Sequence, residues 1–201
     1  MKIRMFGNNV VRMPNIAFMM MNWIFVVRDM LISPWSILDE FDMEKGQTVV
    51  DYGCGPGSYI KGASEMVGPE GTVWAVDVHE LAIKAVLKRI DRENLSNVRV
   101  LQAKGNNSGL PENTADVIYA LDMFHMVRDH NEFLKEINRI CKDRGLLYIG
   151  ISHQAREVIR RKIESSGTWD IVEEKKRYIK CMPVKDRDGK KEKSTNASIR
   201  L

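Results

Sequence analysis

The sequence predicts an α/β domain on a doubly wound, mainly parallel seven-stranded sheet with helices on both faces. Three observations carry that expectation. Short Val/Ile-rich runs alternate with segments of helical periodicity from Gly46 onward. The first run ends in a glycine-rich turn that leads into a helix. No internal repeat or long low-complexity block interrupts the alternation.

The elements follow in order. Gln47 to Tyr52 (QTVVDY) reads as the first strand, ending at glycines. Pro56 to Val67 can form a helix, stopped by Gly68-Pro69. Thr72 to Asp77 (TVWAVD) is the second strand. Leu81, Ala82, Ala85, Val86 and Ile90 then recur at helical spacing. Val98 to Gln102 and Asp116 to Leu121 are the third and fourth strands. Asp129 and Glu132 have the spacing of a capping box, ahead of Phe133, Leu134, Ile137 and Ile140 on one helical face. Gly145 to Ile151 (GLLYIGI) is the fifth strand. Ala155, Val158, Ile159 and Ile163 mark a helix ended by Gly167, and Trp169 to Met182 holds two more strands around Glu174 to Lys176. Strands separated by such helices mean βαβ units and a parallel sheet.

The flanks read differently. Ile16 to Val27 (IAFMMMNWIFVV) is nearly all apolar but shorter than the roughly 20 residues a spanning helix needs. No small-residue cleavage site follows it. Residues 1–31 are therefore expected to form a helical cover, with Met19 to Met21, Trp23 and Phe25 over the ligand side or packed into the core. Peripheral membrane contact through 16–27 is the alternative. Residues 32–184 form the main domain, and the polar run 185–201 is expected to be a disordered tail.

Composition excludes several classes. The 201 residues include 31 Lys+Arg against 27 Asp+Glu, interleaved, so the net charge of +4 does not mark a nucleic-acid binder. Cys54, Cys141 and Cys181 are odd in number and far apart, which fits buried thiols in a reducing, cytoplasmic setting rather than a disulfide framework. His79, His125, His130 and His153 lack zinc spacing, so no metal is expected. Ser58 lacks a nucleophile elbow.

The informative segment is Val49-Val50-Asp51-Tyr52-Gly53-Cys54-Gly55-Pro56-Gly57. In an open parallel sheet, ligands bind beyond the carboxyl ends of the strands. A dinucleotide turn reads G-x-G-x-x-G and seats a pyrophosphate. This turn reads G-x-G-x-G and follows an acid, Asp51, which would repel a pyrophosphate. It suits a ligand carrying ammonium and sulfonium charges, as S-adenosylmethionine does. Asp77 ends the second strand, where a carboxylate can accept both hydroxyls of a nucleoside ribose; capping the next helix is its other reading.

With these motifs in place, residues from about Ile32 to Met182 resemble the class I, Rossmann-like S-adenosylmethionine-dependent methyltransferases. The likeness is nearest to the ubiquinone/menaquinone-biosynthesis C-methyltransferases. VVDYGCGPG resembles the first family motif, VWAVDVHELAI the second, LPENTADVIYALDMFHMV the fourth-strand region and RICKDRGLLYIGI the fifth strand with its preceding helix. The resemblance implies S-adenosyl-L-methionine as cosubstrate and S-adenosyl-L-homocysteine as product. It implies that Asp51, Gly53, Cys54 and Gly55 line the methionine part, that Asp77 and Val78 meet the adenosine, and that Leu121, Asp122 and His125 border the opening.

The third motif departs from the family pattern of Gly-Asp-Ala. Aligned from the strand, Lys104 replaces the adenine-binding acid and offers no acceptor. Aligned backward from Leu110-Pro111, Gly105-Asn106 takes its place, and Asn106 keeps an acceptor oxygen; this register is preferred.

Methyl transfer from a sulfonium needs alignment more than acid–base chemistry. His125 past the fourth strand, His153 past the fifth and Asp122 are the candidate catalytic groups, each with wall or capping roles as the alternative. The acceptor is expected to be a small molecule. A protein or RNA methyltransferase using the tail and the basic helix 156–162, and a non-enzymatic S-adenosylmethionine-binding module, are the competing readings. A NAD-dependent oxidoreductase is disfavoured by the turn.

Overall fold

The structure, a computed structural model, describes residues 14–17, 19, 20 and 34–185. A 3₁₀ turn over Pro34–Glu40 precedes β1 (Thr48–Tyr52), α1 (Ile60–Val67), β2 (Thr72–Asp77), α2 (Glu80–Glu93), β3 (Val98–Gln102) and β4 (Ala115–Ala120). A short 3₁₀ turn at Phe124–Met126 leads to α3 (His130–Ile140), β5 (Cys141–Gly150), α4 (Arg156–Ser166), β6 (Trp169–Glu174) and β7 (Tyr178–Pro183). The strand order is β3-β2-β1-β4-β5-β7-β6. β1 to β5 run parallel, and β7 runs antiparallel to both β5 and β6. The seven-stranded, doubly wound sheet is thus as expected. The reversal of order at β1, between β2 and β4, opens a crevice at the strand carboxyl ends.

Side-chain alternation along each strand feeds two cores. Val50, Tyr52, Ile118 and Ala120 pack with Phe133, Leu134 and Ile137 of α3 and with Ile159 and Ile163 of α4. Val49, Val73, Val117 and Tyr119 pack on the other face with Ile60, Ala63 and Val67 of α1, Val86 of α2 and Leu38 and Phe41 of the first turn. Each fully buried aliphatic side chain contributes about 1.5–3 kcal/mol. This two-sided burial explains why the strands read as continuous apolar runs.

Three local readings shift. The helix expected from Pro56 begins only at Ile60, because Gly55 and Gly57 hold φ of +51° and +82° in the preceding turn. β5 begins at Cys141 rather than Gly145, with an irregular register opposite Ala115–Val117. Lys185, assigned to the tail, is anchored: its ammonium donates to the carbonyls of Asn138 (2.8 Å) and Cys141 (2.9 Å). The capping role expected of Asp129 is present, its Oδ1 accepting from the Glu132 N–H at 3.0 Å.

Most of the expected cover, including Met21, Trp23 and Phe25, lies outside the described residues, as does the tail beyond Lys185. Residues 15–17, 19 and 20 are helical, with Ile16, Met19 and Met20 exposed. No helix among the described residues is long and apolar enough to cross a membrane.

Candidate active site

The site is built on the turn after β1. The Gly53 and Cys54 N–H groups both donate to the Val76 carbonyl of β2, at 2.7 and 3.1 Å. The Gly55 N–H donates to Asp77 Oδ2 at 2.9 Å, and Gly57 N–H to the Cys54 carbonyl at 2.9 Å. Arg89 of α2 reaches the Gly57 carbonyl. The N–H groups that would face a pyrophosphate in a dinucleotide turn are therefore committed inside the protein. What the turn presents instead is acceptors.

Two glycines are fixed by this geometry. Gly53 holds φ +78°, and a Cβ there would sit 2.6 Å from Met123 Cγ. Gly55 holds φ +51°, yet a Cβ there would meet nothing within 4 Å. The open side at Gly55 is a cradle that a ligand can enter. Cys54 points into the core, where burial pushes its thiol well up, so only its backbone can face a ligand.

Asp51 is the decisive side chain. It is 2% exposed, and its Oδ2 is buried with no hydrogen-bond partner among the described residues. Burial pushes its carboxyl well above the usual range, Asp77 and Asp122 push the same way, and the Tyr119 hydroxyl opposes them. A buried carboxylate without a cation is costly to ionise. A cationic ligand placed beside it removes that cost.

Asp77 does not cap α2. His79 does, its Nδ1 accepting from the Leu81 N–H at 3.1 Å. Asp77 Oδ1 accepts from the His79 N–H at 2.7 Å while Oδ2 holds Gly55, and burial still raises its pKa. Each oxygen keeps acceptor capacity for a further donor.

At the next strand end, Lys104 and Asn107 form a tight bridge with Gly105 at φ +64°. Lys104 is exposed, whereas Asn106 Oδ1 is buried with no partner among the described residues. The Tyr52 hydroxyl donates to the Asn106 carbonyl at 3.2 Å, and Gln102 Nε2 to the Val78 carbonyl at 3.3 Å. Asn106, not Lys104, thus offers an inward acceptor.

Asp122 and His153 follow β4 and β5, and both hold left-handed backbone, φ +57° and +58°. For non-glycine residues this conformation is uncommon and concentrates at functional sites. Asp122 Oδ2 accepts from the Tyr59 hydroxyl at 3.2 Å. The His125 and His153 rings lie 4.6 Å apart between centroids. Burial, then the neighbouring His153, lowers the His125 pKa, and Lys162 adds to this while Asp122 opposes it. Leu121 is buried beneath, against Gly150. Among the described residues no group of three His, Cys, Asp or Glu side chains could hold a metal ion.

A family profile described as a methyltransferase domain matches residues 50–149, which span the site from Asp51 to His125 and stop short of His153. A solved S-adenosylmethionine-dependent methyltransferase from Aquifex aeolicus is 27% identical and superposes with a TM-score of 0.70, covering 86% of this chain and 98% of that one. The chain belongs to the class I S-adenosylmethionine-dependent methyltransferase family. A demethylmenaquinone methyltransferase of Geobacillus kaustophilus is 26% identical over 110 residues, 55% of this chain and 47% of that protein. One from Listeria monocytogenes is 28% identical over 105 residues, 52% of this chain and 44% of that protein. The chain spans about half the length of these methyltransferase relatives. A structure from Methanococcus maripaludis, 20% identical with a TM-score of 0.71 over 86% of this chain and 94% of that one, shares the fold.

Within this family framework the structure adds residues that the sequence did not single out. Tyr59 and Tyr119 reach Asp122 and Asp51, and Met123 closes over Gly53. Tyr119 sits inside an apolar run, so only the pairing of β1 with β4 reveals its neighbour.

Proposed function

We propose that this chain is a methyltransferase that moves the methyl group of S-adenosylmethionine onto a small, partly apolar acceptor. The observation that carries the reading is the buried Asp51 carboxylate, whose Oδ2 has no partner among the described residues, with Asp77 and Asp122 nearby at the ends of β2 and β4. Three carboxylates on one crevice favour a cationic ligand. The residues present fit the cosubstrate: an acid for its charges, an open cradle at Gly55, and at Asn106 an acceptor without a partner among the described residues. When bound, the cosubstrate supplies a methyl group already activated on a sulfonium.

The chain's own residues then bind and orient. Asp51 and the Gly53–Gly55 turn would hold the methionine part, with Cys54 contributing backbone. Asp77 would accept the ribose hydroxyls, and Val78, Gly105 and Asn106 would border the adenine, Asn106 Oδ1 accepting its amino hydrogen. Leu121, Asp122, His125 and His153 would line the acceptor side. Alignment of this kind supplies roughly 7–11 kcal/mol of barrier lowering. His125, its pKa lowered by partial burial and by the neighbouring His153, can accept a proton from an acidic acceptor.

A small acceptor is favoured over protein or RNA by two observations. The matched Geobacillus and Listeria proteins are named as methyltransferases of demethylmenaquinone, a small molecule. Arg156 and Arg160 of the basic helix pair with Glu174 of β6, so they do not form an unpaired cationic face. Calorimetric titration with S-adenosylmethionine, S-adenosylhomocysteine and NAD tests the reading. Binding of the first two and not the third is expected; binding of NAD alone would overturn it. Tight S-adenosylmethionine binding with no turnover on a broad acceptor panel would leave a non-enzymatic module.

A further inference from the structure

Beside the His125–His153 pair lies a cleft that the proposed function leaves unused. It is an open cavity of about 440 Å³ lined by Arg128, Asp129, His130, Asn131, Lys162 and Ser165. It sits between the connection leading into α3 and the C-terminal half of α4. Its volume falls within the roughly 300–1,000 Å³ of small-ligand sites.

Its chemistry is that of an anion site. Lys162 is half-buried, with its ammonium 5.6 Å from the Phe124 ring centroid and donating to Gln154 Oε1 at 2.5 Å. Burial lowers its pKa, and among the described residues no carboxylate pairs with it. His130 Nε2 and Gln154 Nε2 are buried with no hydrogen-bond partner among the described residues. Among the described lining residues Asp129 is the one acid, and its Oδ1 caps α3. Arg128 and Lys162 therefore leave the lining with a net positive charge.

Phe124 links the cleft to the acceptor side. His130 meets its buried ring edge-on at 5.2 Å, Lys162 lies over the ring, and His125 follows it in the chain. The cleft and the His125–His153 pair therefore neighbour the same buried side chain.

We infer that this cleft binds the anionic group, a carboxylate or a phosphate, of the methyl acceptor, with Lys162 and Arg128 supplying charge and His130 a hydrogen bond. The inference rests on the methyl-transfer reading above. A cationic cosubstrate and an anionic acceptor are then sorted by charge between the acidic crevice and this basic cleft.

The test uses the full chain saturated with S-adenosylhomocysteine and titrated by calorimetry with benzoate, phenyl phosphate and neutral benzamide. Saturable binding of benzoate or of phenyl phosphate is expected, tighter than benzamide by at least about tenfold; which anion binds tells carboxylate from phosphate. Lys162→Met and Arg128→Gln should each weaken the anion about tenfold, and Lys162→Arg should retain it within about threefold. S-Adenosylhomocysteine affinity should stay within about twofold in all three variants. Arg128 is exposed, so its variant decides the matter if Lys162→Met fails to fold. Failure of S-adenosylhomocysteine to bind the unaltered chain would sink the cosubstrate reading. Normal S-adenosylhomocysteine binding with no anion preference, or with anion binding indifferent to both variants, would overturn the anion cleft alone.

Discussion

Asp51 of β1 stands directly opposite Tyr119 of β4 in the parallel ladder, and both side chains point to the face covered by α1. The pair is buried, and the phenol is the group that eases ionisation of the carboxyl. An acid is held beside a weak donor until a cation arrives.

Asp51→Asn should therefore separate stability from binding. Burial raises the folded-state pKa of Asp51, so its stabilising protonated form is lost as pH rises, and at neutral pH the ionised group works against folding. The amide variant should melt at least about 2 °C higher without ligand, the shift that 1 kcal/mol gives a chain of this size. Its affinity for S-adenosylmethionine should fall more than about tenfold, the effect of losing 1.4 kcal/mol of charge attraction. Paired thermal unfolding and calorimetry check both signs.

Tyr119→Phe removes the hydroxyl that lowers the Asp51 pKa. On the proposed site, S-adenosylmethionine binds the ionised acid, so affinity should fall as pH drops through that pKa. In the variant the midpoint of this loss should move to higher pH. Among the described residues the Tyr119 hydroxyl has no close hydrogen-bond partner, so stability should change by less than about 1 kcal/mol. A midpoint unchanged in binding titrations from pH 5 to 8 would count against the pairing.

Gly53→Ala meets two obstacles, Met123 at 2.6 Å and a φ of +78°. Overpacking and left-handed backbone together should cost about 2–4 kcal/mol. Gly53→Ala with Met123→Ala should recover only part of the steric share, because the Met123 Cβ that remains lies 2.8 Å from the added methyl. Chemical denaturation of the two proteins distinguishes the parts.

Turnover should carry an acid limb from His125. Its pKa lies below the ordinary imidazole value, so the neutral form persists to lower pH, and activity should be lost as pH falls through that lowered pKa. His125→Gln should lower kcat by about 10²–10⁴-fold, the usual weight of a general base, and abolish the limb. A kcat profile unaltered by the substitution would reduce His125 to a wall residue.

Much of the fold was legible because its signals are local. Val49-Val50 and Thr72 to Asp77 are apolar runs that end at turn residues, and these periodicities survive in the structure. The acids Asp51 and Asp77 were readable from their place at strand ends. Long-range partners were not. Tyr119 looks like core until β1 and β4 pair, and Lys162 looks like one charge of a basic helix until Phe124 packs beneath it. The start of α1 was misjudged because Pro56 suits a first helical turn, while the positive φ of Gly55 and Gly57 delays it. The adenine-side ambiguity narrows to the two side chains themselves, Lys104 outward and Asn106 Oδ1 inward.

Asp77 grips the glycine turn with one oxygen and the His79 backbone with the other. That double duty constrains how the site can change over evolutionary time. A substitution at Asp77 alters the shape of the turn and the proposed ribose contact in one stroke, so affinity cannot be adjusted there by small steps. Variation is channelled instead toward positions that carry one role each, such as the loop around Asn106 and the walls beyond β4 and β5.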